Sequence, residues 1–142
     1  MTMSESELKE QLEELRNAID ELIELNKTTP VIVEGKKDVE SLRSLGIEGE
    51  IINYNSGKSI IATCESVAEK YNEIIILTDW DRKGGTLARE LKRCLESLGI
   101  RTNTDIRARL AVLCRKDIKD VESLNRHFMS LSEKARNVSE AG

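Results

Sequence analysis

Three acidic residues, each placed just after a short apolar run, are the part of this sequence best suited to chemistry. Glu34 directly follows Val-Ile-Val, and Asp79 and Asp81 come after Ile-Ile-Ile-Leu. Clustered carboxylates repel one another unless a cation neutralises them. Oxygen ligands alone suit Mg²⁺ or Mn²⁺, which keep several water molecules that a phosphate can displace. A simpler alternative stays open, above all for Asp81: an acid at this position can cap the helix that follows.

The elements that must position these acids follow from the hydropathy pattern. Short apolar runs alternate with amphipathic segments, which indicates a doubly wound α/β fold whose parallel sheet is covered on both faces. In such sheets, functional groups gather at the carboxyl ends of the strands. If the first and third strands are neighbours, the three acids converge on one crevice. The predicted strands are 31–33, 51–52, 74–77 and 110–113, and the predicted helices between and after them are 37–45, 59–71, 85–98 and 121–131.

A long amphipathic helix is predicted ahead of the sheet, over residues 5–27. Its apolar residues recur at alternating spacings of four and three, which is typical of a packing seam. The seam either packs back on the rest of the chain or pairs with a second copy or another protein. We therefore expect an N-terminal helix over 1–27 and an α/β domain with a C-terminal helical segment over 28–142. The seam residues are Leu8, Leu12, Leu15, Ile19 and Leu22.

Composition narrows the class of protein. The chain has 142 residues, of which 39% are hydrophobic and 34% charged, so neither a disordered nor a collagen-like chain fits. No apolar run approaches the ~20 residues that span a bilayer, and the acidic N-terminus lacks the pattern of a signal peptide. Three scattered cysteines indicate free thiols in a reducing compartment. We therefore expect a cytoplasmic protein without membrane association.

Charge is unevenly distributed along the chain. The formal net charge is −4, yet residues 82–119 carry eleven basic and four acidic side chains. A basic stretch inside an acidic chain suggests a surface that faces a polyanion such as RNA or DNA. The alternative is that these lysines and arginines only solvate helix faces, and charge counts alone do not separate the two.

Two local motifs carry a resemblance to a known family. Val-Ile-Val-Glu-Gly-Lys-Lys-Asp-Val at 31–39 and Ile-Leu-Thr-Asp-Trp-Asp-Arg-Lys-Gly at 76–84 resemble the Toprim domain of topoisomerases, primases and related nucleases. In that family one strand ends in Glu-Gly and a later strand ends in Asp-x-Asp, often followed by Arg-x-Gly. The bacterial primase version is the most similar, and the resemblance covers about residues 29–125. In its length, the chain resembles the small stand-alone archaeal Toprim proteins of uncharacterised function. The implied sheet has four parallel strands in the order 4-3-1-2.

The resemblance also implies roles for individual residues. Glu34 matches a glutamate that is a metal ligand or a general acid/base, and Asp79 and Asp81 match the metal-binding pair. Asp38 matches an aspartate of the primase motif and is a further candidate ligand. Topoisomerases have a third acid where this chain has Lys83, so a second ion would need acids from elsewhere. The candidates for that role are Asp117, Asp120 and Glu122.

Basic residues near the motifs are candidates for binding substrate. Arg82 and Lys83 directly follow the acids and are expected to hold substrate phosphates. Lys58 lies in the segment Asn-Ser-Gly-Lys-Ser, which resembles the end of a P-loop, but Ile52 stands where the first glycine of an intact P-loop would be. Trp80, between two of the acids, either stacks on a base or packs over the sheet edge.

Two functions remain in view from the sequence. The first is Mg²⁺- or Mn²⁺-dependent cleavage of phosphodiester bonds in nucleic acid, or a related phosphoryl or nucleotidyl transfer. The second is a non-catalytic module, stabilised by metal, that binds nucleic acid or supports protein assembly. No tyrosine-nucleophile domain or zinc ribbon accompanies the motifs in this sequence, so we do not expect topoisomerase or complete primase activity from it alone.

Overall fold

The computed structural model describes residues 3–55 and 57–141, and within them six helices and four strands. The predicted N-terminal helix, the four predicted strands and the helices predicted between and after them all lie within residues 3–141, where Ser56 alone is not described. In chain order the elements are α1 (Glu5–Asn26), β1 (Val31–Val33), α2 (Lys36–Ser44), β2 (Ile51–Asn53), α3 (Ile60–Lys70), β3 (Glu73–Ile76), α4 (Arg82–Ser97), β4 (Arg101–Asn103), α5 (Asp105–Cys114) and α6 (Leu124–Ala141).

The four strands form one parallel sheet in the order β2-β1-β3-β4, which confirms the expected order 4-3-1-2. β1 lies at the centre, and its Val31 is in register with Ile51 of β2 and Ile75 of β3. Because β1 and β3 are hydrogen-bonded neighbours that run in the same direction, the segments after them leave the sheet at the same edge. This register brings the position of Glu34 next to the segment that begins at Leu77.

Helices cover both faces of the sheet, as a doubly wound fold requires. Side chains alternate along each strand, so Val31 and Val33 join one buried cluster, whereas Ile32 joins the other. The first cluster lies beneath α1, α2, α5 and α6, and the second lies beneath α3 and α4. In the part of the chain that the structure describes, no helix is long and apolar enough to cross a membrane.

The predicted fourth strand at 110–113 is wrong. These residues lie in α5, where Ile106, Leu110 and Cys114 recur every four residues and are buried, while Val112 is 67% exposed. The fourth strand is instead Arg101–Asn103, at the edge of the sheet. Short, polar edge strands are common because they resist pairing with other chains. The sequence of this strand, Arg-Thr-Asn, contains no apolar run by which it could be recognised. Residues 110–113 of α5 are four consecutive apolar residues and were therefore predicted as a strand.

The apolar seam of α1 packs within the chain. Leu8, Leu15 and Leu22 are nearly inaccessible to solvent and join the cluster that also contains strand residues and the buried side chains of α5 and α6. Of the two alternatives left by the sequence, the structure therefore shows the seam covered by the rest of the chain. Assembly through α1 stays a prediction that would need another face of the helix. The division of the chain at residues 27 and 28 also stays a prediction, and residues 1, 2 and 142 lie outside the described ranges.

Candidate functional site

A hydrogen bond joins the ends of the two neighbouring strands β1 and β3. The Glu34 carboxylate, through Oε2, accepts from the backbone N–H of Asp79 at 2.8 Å. Glu34 is half-buried and comes one residue after β1, and Asp79 comes three residues after β3. The structure thus brings these two acids together at the carboxyl edge of the sheet, where α/β proteins place their functional groups.

Asp79 is held in a partly buried position that disfavours its charge. Its Oδ1 accepts from the backbone N–H of Val121 at 3.0 Å. Burial, together with the nearby negative charges of Glu34 and Asp38, raises the pKa of Asp79 to about 7, although the Val121 N–H acts in the opposite direction. A carboxylate in this setting is stabilised by any cation that reaches it.

Asp38 belongs to the same group of acids. Its Oδ2 accepts from the backbone N–H of Gly35 at 3.0 Å, at the first turn of α2, and the residue is 6% exposed. Burial raises the pKa of Asp38, and so do the charges of neighbouring acids. We refer to the resulting set as the acid cluster; it comprises Glu34, Asp38, Asp79, Asp120 and Glu122.

Asp81 caps the helix that follows it. Its Oδ1 accepts from the backbone N–H of Gly84 at 2.7 Å, so α4 begins at Arg82, three residues before the predicted start at Gly85. The capping alternative is therefore what the structure displays for this residue. Asp81 is also exposed, and an acid that caps with one oxygen keeps the other for a ligand.

The donor set of this site fits a hard cation, although the side chains are not yet gathered around one. Within residues 3–55 and 57–141, no three His, Cys, Asp or Glu side chains stand close enough to hold an ion as they are. Glu34, Asp79 and Asp81 each use one oxygen to accept from a backbone N–H, which leaves the second oxygen of each carboxylate. Oxygen donors of this kind suit Mg²⁺ or Mn²⁺, which retain water and so need few protein ligands.

Arg107 supports the site and was missed by the sequence analysis. Its Nε donates to the Thr78 carbonyl at 3.1 Å and its Nη2 donates to the Asp79 carbonyl at 2.7 Å. The guanidinium therefore fixes the backbone from which Asp79 projects and places a positive charge near the acids. The error over the fourth strand concealed this residue, because only the helical turn of α5 directs Arg107 toward the end of β3.

Gly84 allows α4 to approach the same backbone. A Cβ at this position would lie 1.9 Å from the carbonyl oxygen of Asp79, so no other residue fits without a shift. The buried Thr78 hydroxyl donates to the Gly84 carbonyl at 2.8 Å. The glycine that follows Arg82 and Lys83 is therefore explained by close packing of helix against strand end.

Trp80 packs against the protein. Its Nε1 donates to the Ile118 carbonyl at 2.8 Å, and its backbone N–H donates to the Lys119 carbonyl at 3.0 Å. The indole packs against the cluster beneath α1, α5 and α6. Of the two alternatives for this residue, the structure displays packing; stacking on a base is not the role its contacts serve.

The three candidate substrate-binding residues divide between two cavities. Arg82 and Lys83 are exposed and line a cleft of about 580 Å³ together with Glu34. Lys58 lines a different cavity, of about 330 Å³, beside the open edge of β2. In the loop that contains Lys58, Ser59 caps α3 by accepting from the Ala62 N–H at 3.1 Å, and Ser56 lies outside the described residues.

Comparison with known proteins places the chain in a family. Residues 29–122 match the Toprim domain. A UPF0292 protein of Methanosarcina barkeri is 40% identical over 124 residues, which cover 87% of this chain and 86% of the relative. A UPF0292 protein of Methanocaldococcus jannaschii is 39% identical over 115 residues, covering 81% of this chain and 90% of the relative.

A solved structure agrees with the fold described above. A protein from Aquifex aeolicus superposes with a TM-score of 0.66 at 26% identity, covering 75% of this chain and 94% of the other. The match to the Toprim domain spans all four strands as well as Glu34, Asp79 and Asp81. The chain therefore belongs to the Toprim domain family and is similar to archaeal UPF0292 proteins.

Proposed function

We propose that this protein is a Mg²⁺- or Mn²⁺-dependent enzyme that cleaves phosphodiester bonds in RNA or DNA, or catalyses a related phosphoryl or nucleotidyl transfer. Membership of the Toprim family supports a metal-dependent, nucleic-acid-related role in general. The observation that carries the specific proposal is the 2.8 Å hydrogen bond from the Asp79 N–H to the Glu34 carboxylate. It holds acids from two strands at one edge of the sheet, beside exposed basic residues.

In this proposal Glu34, Asp79 and Asp81 hold the ion, and Asp38 and Asp120 are additional ligands or second-ion ligands. When bound, the ion supplies positive charge that stabilises a phosphate during its displacement. Glu34 transfers a proton as general acid or base, because it is half-buried and lines the cleft where the substrate binds. Arg107 keeps the Asp79 backbone in place while these side chains act.

The basic residues at the start of α4 hold the substrate in this proposal. Arg82 and Lys83 are exposed and share the cleft with Glu34, so a phosphate bound by them lies beside the acids. Arginine and lysine bind phosphate through charge-assisted hydrogen bonds that carry little sequence preference. Lys58 lines the other cavity, so it contributes only if the bound nucleic acid extends past the loop after β2.

A second candidate function is favoured by one specific observation. Among the described residues, no three potential ligands are gathered tightly enough to hold an ion without side-chain movement. Because catalysis needs ligands that are held in place, this arrangement suits a module that binds nucleic acid or a protein partner through exposed residues such as Arg82 and Lys83, without catalysis.

Turnover on a panel of substrates tests the proposal. Single- and double-stranded RNA and DNA oligonucleotides are incubated with the protein and Mg²⁺ or Mn²⁺. The wild-type protein is expected to cleave or extend at least one of them, and Asp79→Asn is expected to reduce the rate at least ~100-fold, since metal ligands are rarely replaceable. Glu69→Ala, which removes an exposed acid of α3 outside the acid cluster, is the matched control and should retain full activity.

Two results would count against an enzyme. One is equal turnover by Asp79→Asn and wild type, which would point to a contaminating nuclease. The other is the absence of turnover from every substrate although calorimetry detects Mn²⁺ binding that Asp79→Asn abolishes; this pair of results would favour the binding module.

A further inference from the structure

The cleft beside Glu34 is lined by apolar residues as well as by the basic Arg82 and Lys83 and the acidic Glu90. Its volume is about 580 Å³, and its apolar lining comes from Tyr54, Ile60 and Leu87. The three side chains are half-buried and pack on their inner sides against the cluster beneath α3 and α4. Their inner contacts hold them in place, so the wall they present to the cleft is preformed.

The chemistry of this wall differs from that of a site for phosphate alone. A phosphate or a hydrated metal ion is bound by charges and hydrogen-bond donors, whereas a wall made of a phenol ring and two aliphatic side chains suits a flat, partly apolar group. The volume lies within the range of ~300–1,000 Å³ that is typical of pockets for small ligands. A nucleobase with its sugar meets both conditions.

Elimination among the aromatic residues favours Tyr54 as the stacking surface. The chain has four aromatic residues in all. Trp80 uses its indole N–H on the Ile118 carbonyl, and the ring of Phe128 lies beneath the guanidinium of Arg16. Tyr71 lines the cavity at the open edge of β2. Tyr54 is thus the aromatic residue that shares a cleft with Glu34.

We infer that the cleft formed by Tyr54, Ile60 and Leu87 binds an unpaired nucleobase next to the phosphate held at Glu34, so that the substrate is single-stranded nucleic acid. This inference rests on the proposed function for the identity of the neighbouring phosphate. Arg82 and Lys83, which line the same cleft, hold the backbone that leads the base into it. A base within a duplex is stacked on both faces, and its ring reaches such a concavity only after it is unstacked. A single strand or an unpaired end pays no such cost.

Equilibrium binding of matched oligonucleotides tests the inference. A fluorescein-labelled 12-mer is titrated with the full-length protein, first as a single strand and then annealed to its complement, in Ca²⁺ to suppress turnover. The single strand is expected to bind at least tenfold more tightly than the duplex. Tyr54→Leu should weaken binding of the single strand about tenfold, because stacking on an aromatic ring is lost, and should leave duplex binding unchanged.

Control variants keep the result interpretable. Tyr54→Phe retains the ring and should bind the single strand as wild type does, whereas Tyr71→Leu removes the other tyrosine and should have no effect. Thermal unfolding of each variant checks that the fold is intact. A nucleoside monophosphate and ribose 5-phosphate, followed by NMR, form the second readout: the nucleotide should shift the Tyr54 and Leu87 resonances, and the sugar phosphate should not.

The outcomes separate this inference from the proposed function. Equal affinity for duplex and single strand, or full affinity in Tyr54→Leu, overturns the inference even if Asp79-dependent turnover is observed. Failure of the wild-type protein to bind any oligonucleotide or nucleotide overturns it as well. Base-dependent binding at Tyr54 without any metal-dependent turnover supports the inference and contradicts the proposed catalysis.

Discussion

At the scale of single residues, the charge of Asp79 opposes folding stability in the absence of a cation. Burial and the charges of Glu34 and Asp38 raise its pKa to about 7, so above that pH the folded protein carries a charge that its surroundings disfavour. A cation would relieve this unfavourable charge. Residues that bind a ligand are often unfavourable for the stability of the ligand-free protein.

Asp79→Asn is therefore expected to stabilise the metal-free protein at pH 8. The amide oxygen can still accept from the Val121 N–H, while the negative charge is gone. Because Asp79 is only partly buried, we expect a gain on the order of 1–2 kcal/mol, below what the full pKa shift would give. Urea unfolding with and without Mn²⁺ measures the effect: Mn²⁺ should raise the stability of wild type and leave the variant unchanged. A less stable metal-free variant would contradict the electrostatic explanation.

Two adjacent glycines at the start of α4 offer a second residue-scale prediction. Gly84→Ala places a Cβ 1.9 Å from the Asp79 carbonyl oxygen and must push the helix away from the strand end. We expect a loss of about 2–4 kcal/mol, as for other overpacked sites, together with weaker Mn²⁺ binding. Gly85→Ala is the matched control, since its nearest neighbours are arginine side-chain atoms at 3.7 Å.

In the control variant, alanine replaces glycine within a helix, which favours the folded state by about 0.5–1 kcal/mol. The two variants should therefore shift the unfolding midpoint in opposite directions. Equal effects would show that close contact between α4 and Asp79 is not what requires Gly84.

At the scale of elements, the sequence predicts those parts of the fold that local pattern determines. β1 is a continuous apolar run, and so is β3 after its first residue, Glu73, so the ends of both strands, and with them Glu34 and Asp79, can be located from the amino-acid sequence alone. β4 cannot be located in this way, because Arg101–Asn103 is a polar edge strand whose pairing with β3 depends on tertiary contacts. Arg107 was missed for the same reason: its role depends on α5 being helical. The hydrogen bond between Glu34 and the Asp79 N–H is likewise a product of the sheet register.

One buried amide adds to the attachment of α1, whose apolar seam already packs against the sheet. Asn26, at the end of α1, donates through Nδ2 to the carbonyls of Thr29 and Glu50, both at 3.0 Å. Its Oδ1 accepts from the Gly49 N–H at 2.8 Å. The side chain is 3% exposed, so water cannot replace these partners if they are lost. This amide fixes the end of α1 to the segment that enters β2.

Asn26→Asp should therefore destabilise the protein by about 2–4 kcal/mol, because the carboxylate keeps the acceptor but faces two carbonyl oxygens without a donor. Chemical denaturation measures the loss. Asn17→Asp, an exposed position on the same helix, serves as the control and should change stability by less than ~0.5 kcal/mol. A similar loss in both variants would mean that the added charge on α1, rather than the buried amide, is responsible.

At the scale of the whole molecule, the basic stretch is less uniform than its sequence suggests. Residues 82–119 contain eleven basic side chains. Of these, Arg107 is turned toward the strand ends, Arg109 is paired with Glu21, and Lys92 is paired with Glu96. The stretch therefore does not form one continuous basic face. Within this stretch, Arg82 and Lys83 line the cleft that Glu34 also lines.

Salt dependence should reveal how many of these charges meet phosphates. Each contact with a single strand contributes about 0.7 to the slope of log K against log salt, through counterion release. Replacing both Arg82 and Lys83 by alanine should therefore weaken oligonucleotide binding and lower the slope by about 1.4. The matched control replaces Lys9 and Lys27, which removes the same charge from α1 and its C-terminal cap, away from both cavities. Fluorescence anisotropy at four salt concentrations gives both slopes. If the two double variants lower the slope equally, binding depends on the overall charge of the protein. The nucleic acid then does not preferentially contact Arg82 and Lys83.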